Sequence, residues 1–182
     1  MKALIIVDMQ KDFIDGSLGT PEAVAIVDGV VKRIEDSAGE LILFTMDTHH
    51  DGYLDTPEGK KLPVVHCIED TEGWQIIEAI RSAWRTNSST IIIPELQENT
   101  FKKPIFGSLD LVEFLQSRIA DISEIELLGV CTDICVISNA IMLKNIIPDV
   151  KISVNAACCA GVTPQSHTEA LNVMGMCQID II

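Results

Sequence analysis

The chain alternates short apolar runs with segments whose apolar residues recur at helical spacing. Continuous apolar runs, such as 3–7 and 125–130, are typical of strands that are buried on both faces of a sheet. The spacing of valine and isoleucine between Val24 and Ile34 is that of a helix with one buried face. The pattern predicts strands at 3–7, 41–44, 90–93, 125–130, 150–154 and 179–182, and helices at 20–39, 74–84 and 109–119, one beginning near Cys135 and one opened by 166–169.

Strands that alternate with helices predict right-handed crossovers between parallel strands. We therefore expect one domain, 1–182, with a three-layer α/β/α sandwich and a mainly parallel sheet of about six strands. One long excursion, at 47–73, interrupts this alternation and contains three of the four histidines. Long irregular segments inside a compact domain are usually functional.

Composition excludes several classes of partner. The chain has 182 residues, 13 basic against 27 acidic, and its net charge of −14 should repel nucleic acid and anionic membrane surfaces. No apolar run reaches the length of a membrane span. Six cysteines occur without a secretory signal before the first strand, so we expect reduced thiols and a cytoplasmic location.

The segment 126–136 predicts a strand, a polar turn and the start of a helix. Thr132 and Asp133 are typical N-cap residues, which places Cys135 in the first helical turn. Backbone N–H groups and the helix dipole there favour an anion, so we expect a thiol with a lowered pKa beside N–H groups that could hold an oxyanion. The alternative is that Cys135 is a small core residue.

Asp8 ends the first predicted strand, and ligands of open parallel sheets bind beyond the carboxyl ends of the strands. A turn cap or an ion pair is the alternative interpretation of Asp8. Lys103 follows a second lysine and precedes Pro104, which favours an extended backbone. A solvated basic pair is the alternative there.

The long excursion also contains candidate metal ligands. Asp47 and His49 project from the same face of an extended segment because they are two residues apart. Mixed carboxylate and imidazole sets suit zinc, manganese or iron, whereas the alternative is a set of plain surface histidines. We expect His50 to face solvent, and Asp51 or Asp55 could replace the glutamate. The candidate ligands are Asp47, His49, Glu58 and His66.

Three segments together resemble the isochorismatase-like cysteine hydrolase superfamily. They are the Asp-x-Gln-x-Asp-Phe pattern beginning at Asp8, the pair Lys103-Pro104, and the Gly-x-x-Thr-Asp-x-Cys-Val pattern at 129–136. The resemblance covers essentially the whole chain. The candidate ligands in the excursion are similar to the metal site of nicotinamidases, which many other members lack.

The resemblance implies roles for particular residues. It implies a catalytic triad of Asp8, Lys103 and Cys135, and a cis peptide between Val130 and Cys131. The backbone N–H groups of Cys131 and Cys135 would then form the oxyanion hole. It further implies a ring pocket lined by Phe13 and Phe106, and a divalent ion at the four candidate ligands that accepts the pyridine nitrogen of the substrate.

The implied activity is an amidohydrolase of NAD salvage that converts nicotinamide to nicotinate and ammonia through a cysteine thioester. Its partner would be a small-molecule amide, and the superfamily often forms homo-oligomers. One departure bears on the substrate: nicotinamidases commonly carry a large aromatic residue where this chain has Pro63, beside Leu62. Another small amide, imide or ureido compound is therefore the alternative substrate. The sequence also leaves open an isochorismatase proper and a non-catalytic protein that binds metals or thiols.

Overall fold

A six-stranded parallel sheet forms the centre of the structure. The computed structural model describes residues 1–87 and 89–182. Its strand order is β3-β2-β1-β4-β5-β6, with every neighbouring pair parallel. The strands are β1 Lys2–Val7, β2 Leu41–Asp47, β3 Thr100–Lys103, β4 Glu124–Val130, β5 Lys151–Ala160 and β6 Asp180–Ile181. The predicted three-layer α/β architecture is confirmed.

Helices cover both faces of this sheet, which is why the central strands are apolar throughout. All seven residues of β2 are buried, as are five of the six in β1. In the packing of the helices, α3 contacts α4, and α6 contacts both α5 and α7. The helices are α1 Lys11–Ile14, α2 Pro21–Ala25, α3 Val27–Glu35, α4 Glu78–Thr86, α5 Leu109–Ser117, α6 Ile137–Ile146 and α7 Pro164–Met176.

The strand order reverses between β1 and β4. Successive strands move outward in one direction from β1 to β3 and in the other from β4 to β6. In open α/β sheets, ligands bind at such a switch point, outside the carboxyl ends of the strands. No helix in the described part of the chain is long and apolar enough to span a membrane.

The predicted strand at 90–93 is wrong. This segment is irregular, and the strand that pairs with β2 is Thr100–Lys103. The Asn99 side chain explains why the apolar run stays outside the ladder. Its amide donates to the carbonyls of Ile42 and Ile91, and its oxygen accepts from the N–H of Ile93, so a side chain replaces the ladder hydrogen bonds.

Several helix boundaries also differ from the prediction. The segment predicted as one helix at 20–39 is divided at Ile26 into α2 and α3. The helix predicted from Trp74 begins at Glu78, because Trp74 is held by other contacts. Its carbonyl accepts from Gln10, and its indole N–H donates to Thr48. The last helix begins two residues before Ser166, with the Thr163 side chain as its cap.

Candidate active site

The candidate catalytic residues lie together at the carboxyl edge of the sheet. Asp8 directly follows β1, Asp47 ends β2 and Lys103 ends β3, while Cys135 lies in the turn after β4. These are four adjacent strands, so residues far apart in sequence reach one point. The backbone of Asp8 has a φ of +48°, a conformation uncommon for a residue with a side chain.

Lys103 contacts all three acidic or nucleophilic groups of the site. Its ammonium lies 2.7 Å from Asp8 Oδ2, 3.3 Å from Asp47 Oδ1 and 3.4 Å from Cys135 Sγ. Only 1% of the lysine and none of Asp8 is exposed. The other Asp8 oxygen accepts a 2.7 Å hydrogen bond from Thr45. The solvated basic pair is therefore the wrong interpretation of Lys103, although Lys102 beside it is exposed and pairs with Glu69.

Burial sets the proton affinities of this group. Burial raises the pKa of Asp8, and the positive charge of Lys103 opposes that shift without cancelling it. Burial and the neighbouring Asp8 carboxylate raise the pKa of Cys135 well above its ordinary value. The expected low thiol pKa is therefore wrong, since the field of nearby carboxylates and the loss of water outweigh Lys103. Cys135 rests as a thiol next to a carboxylate with increased affinity for a proton.

Cys135 lies in a π-helical turn, Thr132–Val136, that leads into α6. The N-cap is Cys131, and no side chain among the described residues caps the turn, so the prediction that Thr132 or Asp133 does so is wrong. The carbonyl of Cys131 accepts from the N–H groups of Ile134 and Val136. The cis peptide expected between Val130 and Cys131 is confirmed.

Three candidate metal ligands form a buried cluster. Asp47 Oδ2 lies 3.0 Å from His49 Nε2 and 3.5 Å from His66 Nε2. The ligand atoms of these three residues all lie within 4.8 Å of one another. Glu58 lies at the margin, with Oε1 3.8 Å from His49 Nε2. His50 is largely exposed, as expected, and is paired with Glu69.

The cluster has the donor chemistry of a divalent transition-metal site. His66 Nδ1 is 2.8 Å from the carbonyl of Val64, which fixes the tautomer that leaves Nε2 free as a ligand. His49 Nε2 is buried and faces the carboxylates of Asp47 and Glu58. Although burial alone would raise it, hydrogen bonds from the two histidines and the charge of Lys103 hold the pKa of Asp47 well below its usual range. An ionised carboxylate beside two imidazole nitrogens fits zinc, manganese or iron.

A mostly apolar cavity of about 330 Å³ opens above Cys135. Phe13 and Phe106, the predicted pocket residues, both line it, and Leu62 forms part of another wall. The cavity also reaches the metal cluster. Its walls are Phe13, Leu18, Thr20, Asp47, Glu58, Leu62, His66, Phe106, Cys131, Ile134, Cys135 and Val162.

Sequence reasoning gave no role to two residues that shape the site. The buried Gln10 side chain accepts from the Asp47 N–H and donates to the Asp47 carbonyl, so it fixes the end of β2. Its place in the Asp-x-Gln pattern was the available signal. The ring of Tyr53 packs 4.5 Å from that of His49 and 4.9 Å from that of His66. It lies in a short 3₁₀ turn, which the spacing of hydrophobic residues does not predict.

Comparison with known proteins identifies a matching family and several similar chains. The profile of the isochorismatase domain matches residues 2–182. A nicotinamidase of Saccharomyces cerevisiae is 26% identical, across 78% of this chain and 80% of its own. The structure of a pyrazinamidase/nicotinamidase from Streptococcus mutans has a TM-score of 0.82 at 27% identity and covers 100% of both chains. Nicotinamidase PncA from Bacillus subtilis gives 0.79 at 26% identity, covering 99% of this chain and 98% of that one. The matched range includes every candidate site residue.

Proposed function

Because this chain belongs to the isochorismatase family and is a hydrolase of amide bonds, we propose that it converts nicotinamide to nicotinate and ammonia through a thioester on Cys135. One observation carries the proposal. Lys103 contacts Asp8, Cys135 and Asp47, and the last two of these line an apolar cavity wide enough for an aromatic ring. A nucleophile, a proton acceptor and a metal cluster thus meet at one substrate-sized space.

Acylation begins with the protonated thiol. As Cys135 Sγ attacks the carboxamide carbon, its proton passes to Asp8, whose raised pKa suits it to accept one. The N–H groups of Cys131 and Cys135 stabilise the oxyanion of the tetrahedral intermediate. Asp8 then returns the proton to the nitrogen as the C–N bond breaks, so ammonia leaves and a thioester remains.

Deacylation uses the same groups in the reverse sense. Asp8 takes a proton from water, whose oxygen attacks the thioester carbon. The C–S bond breaks, the thiolate recovers the proton from Asp8, and the carboxylic acid is released. Throughout, the ammonium of Lys103 compensates the negative charge that moves between Asp8 and the sulfur, since it contacts both.

The four candidate ligands, Asp47, His49, Glu58 and His66, would hold a divalent ion, zinc, manganese or iron. When bound, the ion supplies a Lewis-acid centre for the pyridine nitrogen of the substrate. The chain's own contribution is the orientation of the ring. Phe13, packed 5.6 Å from the ring of His66, and Phe106 on the cavity wall confine an aromatic substrate between them.

The named relatives support this substrate, and the role in the cell follows from it. The yeast relative is a nicotinamidase, and two of the solved structures are named as nicotinamidases. In this proposal the enzyme acts in the cytoplasm and returns nicotinamide to NAD synthesis. That the protein forms a homo-oligomer stays a prediction.

A second substrate class is favoured by the wall at Leu62. This side chain is 37% exposed and aliphatic, so the cavity lacks an aromatic ring at that place. A different small amide, imide or ureido compound would suit a cavity whose wall is aliphatic at that place. Comparing ammonia release from nicotinamide with that from a panel of such compounds distinguishes the two classes.

The deciding experiment measures ammonia released from nicotinamide by the purified protein, with and without a chelator. We expect chelator-sensitive release that Cys135→Ala abolishes while the metal content and the fold persist. Cys159→Ala is the matched control, because Cys159 is also buried but lies on β5 outside the cavity. Full activity of Cys135→Ala would exclude the nucleophile. No release by folded, metal-loaded wild-type protein would exclude nicotinamide.

A further inference from the structure

Two polar side chains at the start of the Cys135 turn point away from it. The Thr132 hydroxyl and His167 Nδ1 share a hydrogen bond of 2.8 Å. The Asp133 carboxylate accepts from the N–H of Val162 at 3.1 and 3.2 Å. Both partners belong to the segment 161–167, which comprises the connection from β5 to α7 and the first turn of α7. The turn that carries the thiol is therefore held from outside by this segment.

The orientation of the Thr132 hydroxyl matters because, without His167, the hydroxyl would hydrogen-bond to a backbone N–H of the turn. Thr132 is the first residue after the N-cap, Cys131. Without His167, its hydroxyl would be free to do what a threonine N-cap does, which is to accept from an N–H two or three residues later, here that of Ile134 or Cys135. The carbonyl of Cys131 accepts from Ile134 and Val136 and passes over the residue between them, Cys135. A freed Thr132 hydroxyl would thus compete for the N–H of Cys135.

We propose that His167 is a positioning residue that holds the Thr132 hydroxyl away from the N–H of Cys135 and so keeps that N–H available to the oxyanion. The inference rests on the proposed function, because that function assigns the N–H to the oxyanion hole. The histidine is itself firmly placed. The backbone N–H of His167 donates to the carbonyl of Thr163. Gly161 packs so closely that a Cβ added at Gly161 would lie 2.9 Å from the Cβ of His167.

The two partners of this hydrogen bond differ in how deeply they are buried. Thr132 is fully buried, whereas His167 is half-buried. Removing the imidazole leaves a buried hydroxyl that must find a new partner within the turn. Removing the hydroxyl leaves an imidazole that water can reach. Replacing both groups by apolar ones removes the unpaired hydroxyl altogether, and such double replacements can be nearly neutral.

These relations define a set of variants with distinct expected rates. For His167→Leu we expect kcat to fall about 10-fold or more, within the roughly 10²- to 10³-fold loss for one oxyanion donor, with KM nearly unchanged. Thr132→Val should lose less. Thr132→Val combined with His167→Leu should recover most of the loss of His167→Leu. His167→Asn should also retain activity, because its amide places a polar atom where Nδ1 stands. His167→Ala repeats the test without added bulk near Gly161.

A second measurement separates this inference from the choice of substrate. Iodoacetamide labelling of Cys135, followed by peptide mass spectrometry with the exposed Cys177 as internal reference, needs no turnover. Labelling should slow in His167→Leu and recover in the double variant. Inactive wild-type protein would refute the proposed function alone, and labelling would then decide the inference. A double variant as impaired as His167→Leu, or His167→Asn as impaired as His167→Leu, overturns the role of His167.

Discussion

Replacing Lys103 by methionine tests the electrostatics of the site most directly. Methionine keeps an unbranched apolar side chain and removes the charge. Lys103 lies 2.7 Å from one carboxylate and 3.3 Å from another. At an effective dielectric constant of about 20, these distances correspond to attractions of roughly 6 and 5 kcal/mol, before the cost of removing each charge from water.

The net effect is smaller than those attractions but still large. Removing one partner of a buried ion pair typically costs about 3–5 kcal/mol, because the remaining charge stays buried without compensation. At roughly 2–4 °C per kcal/mol for a chain of this size, Tm should fall by about 6–20 °C. Turnover should fall at least about 100-fold, since no cation then balances the charge shared by Asp8 and Cys135.

Lys102→Met is the matched control for this prediction. Lys102 is the adjacent residue on the same strand, but its side chain is 47% exposed and pairs with Glu69 at the surface. A surface pair of this kind contributes about 0–1 kcal/mol. Scanning calorimetry and ammonia release on both variants give the comparison. A Lys103→Met protein that melts within about 2 °C of Lys102→Met, a difference of about 1 kcal/mol or less, would refute the reasoning.

The pH dependence of activity and three further substitutions have defined outcomes. In the pH profile of kcat/KM, the acid limb should lie above pH 3.8 and the alkaline limb above pH 9.0, because the pKa values of Asp8 and Cys135 are raised from those values. Thr45→Val removes a hydrogen bond that favours ionised Asp8, so the acid limb should move to higher pH, and a shift to lower pH would contradict this. Gln10→Leu leaves the N–H and carbonyl of Asp47 unpaired and should cost about 2 kcal/mol or more in urea unfolding; unchanged stability would exclude the bridge. Asp47→Ala should lose the bound metal, as measured by elemental analysis, and an unchanged stoichiometry would refute the ligand assignment.

The misplaced third strand shows what local pattern cannot decide. The segment 90–93 has the β-branched composition of a strand, yet Ile92 is 59% exposed and Asn99 supplies the hydrogen bonds of the segment. The true strand, Thr100–Lys103, looks polar because it ends in two lysines. One of them, Lys103, is buried against two carboxylates rather than against apolar side chains, so hydrophobic periodicity could not reveal the strand.

The candidate site was more predictable than its proton affinities. The resemblance of three sequence segments to one family brought Asp8, Lys103 and Cys135 together in prediction. The structure places all three at the carboxyl edge of the sheet, where ligands of open parallel sheets bind. The thiol pKa depends on how deeply Cys135 is buried and on carboxylates from other strands. Neither the burial nor the nearby carboxylates can be inferred from the residues next to Cys135 in the sequence. The same applies to Tyr53, whose contact with two histidines depends on the path of a long loop.

The strand order divides the sheet into two halves that are also the two halves of the sequence. The first three strands lie on one side of the β1–β4 seam and the last three on the other. Asp8, Asp47 and Lys103 come from the first half, and Cys135 comes from the second. A backbone cut in the loop 104–108 would leave each fragment chemically incomplete. Recovery of turnover on mixing the fragments would then report docking along that seam, which makes this fold a candidate for split-protein complementation.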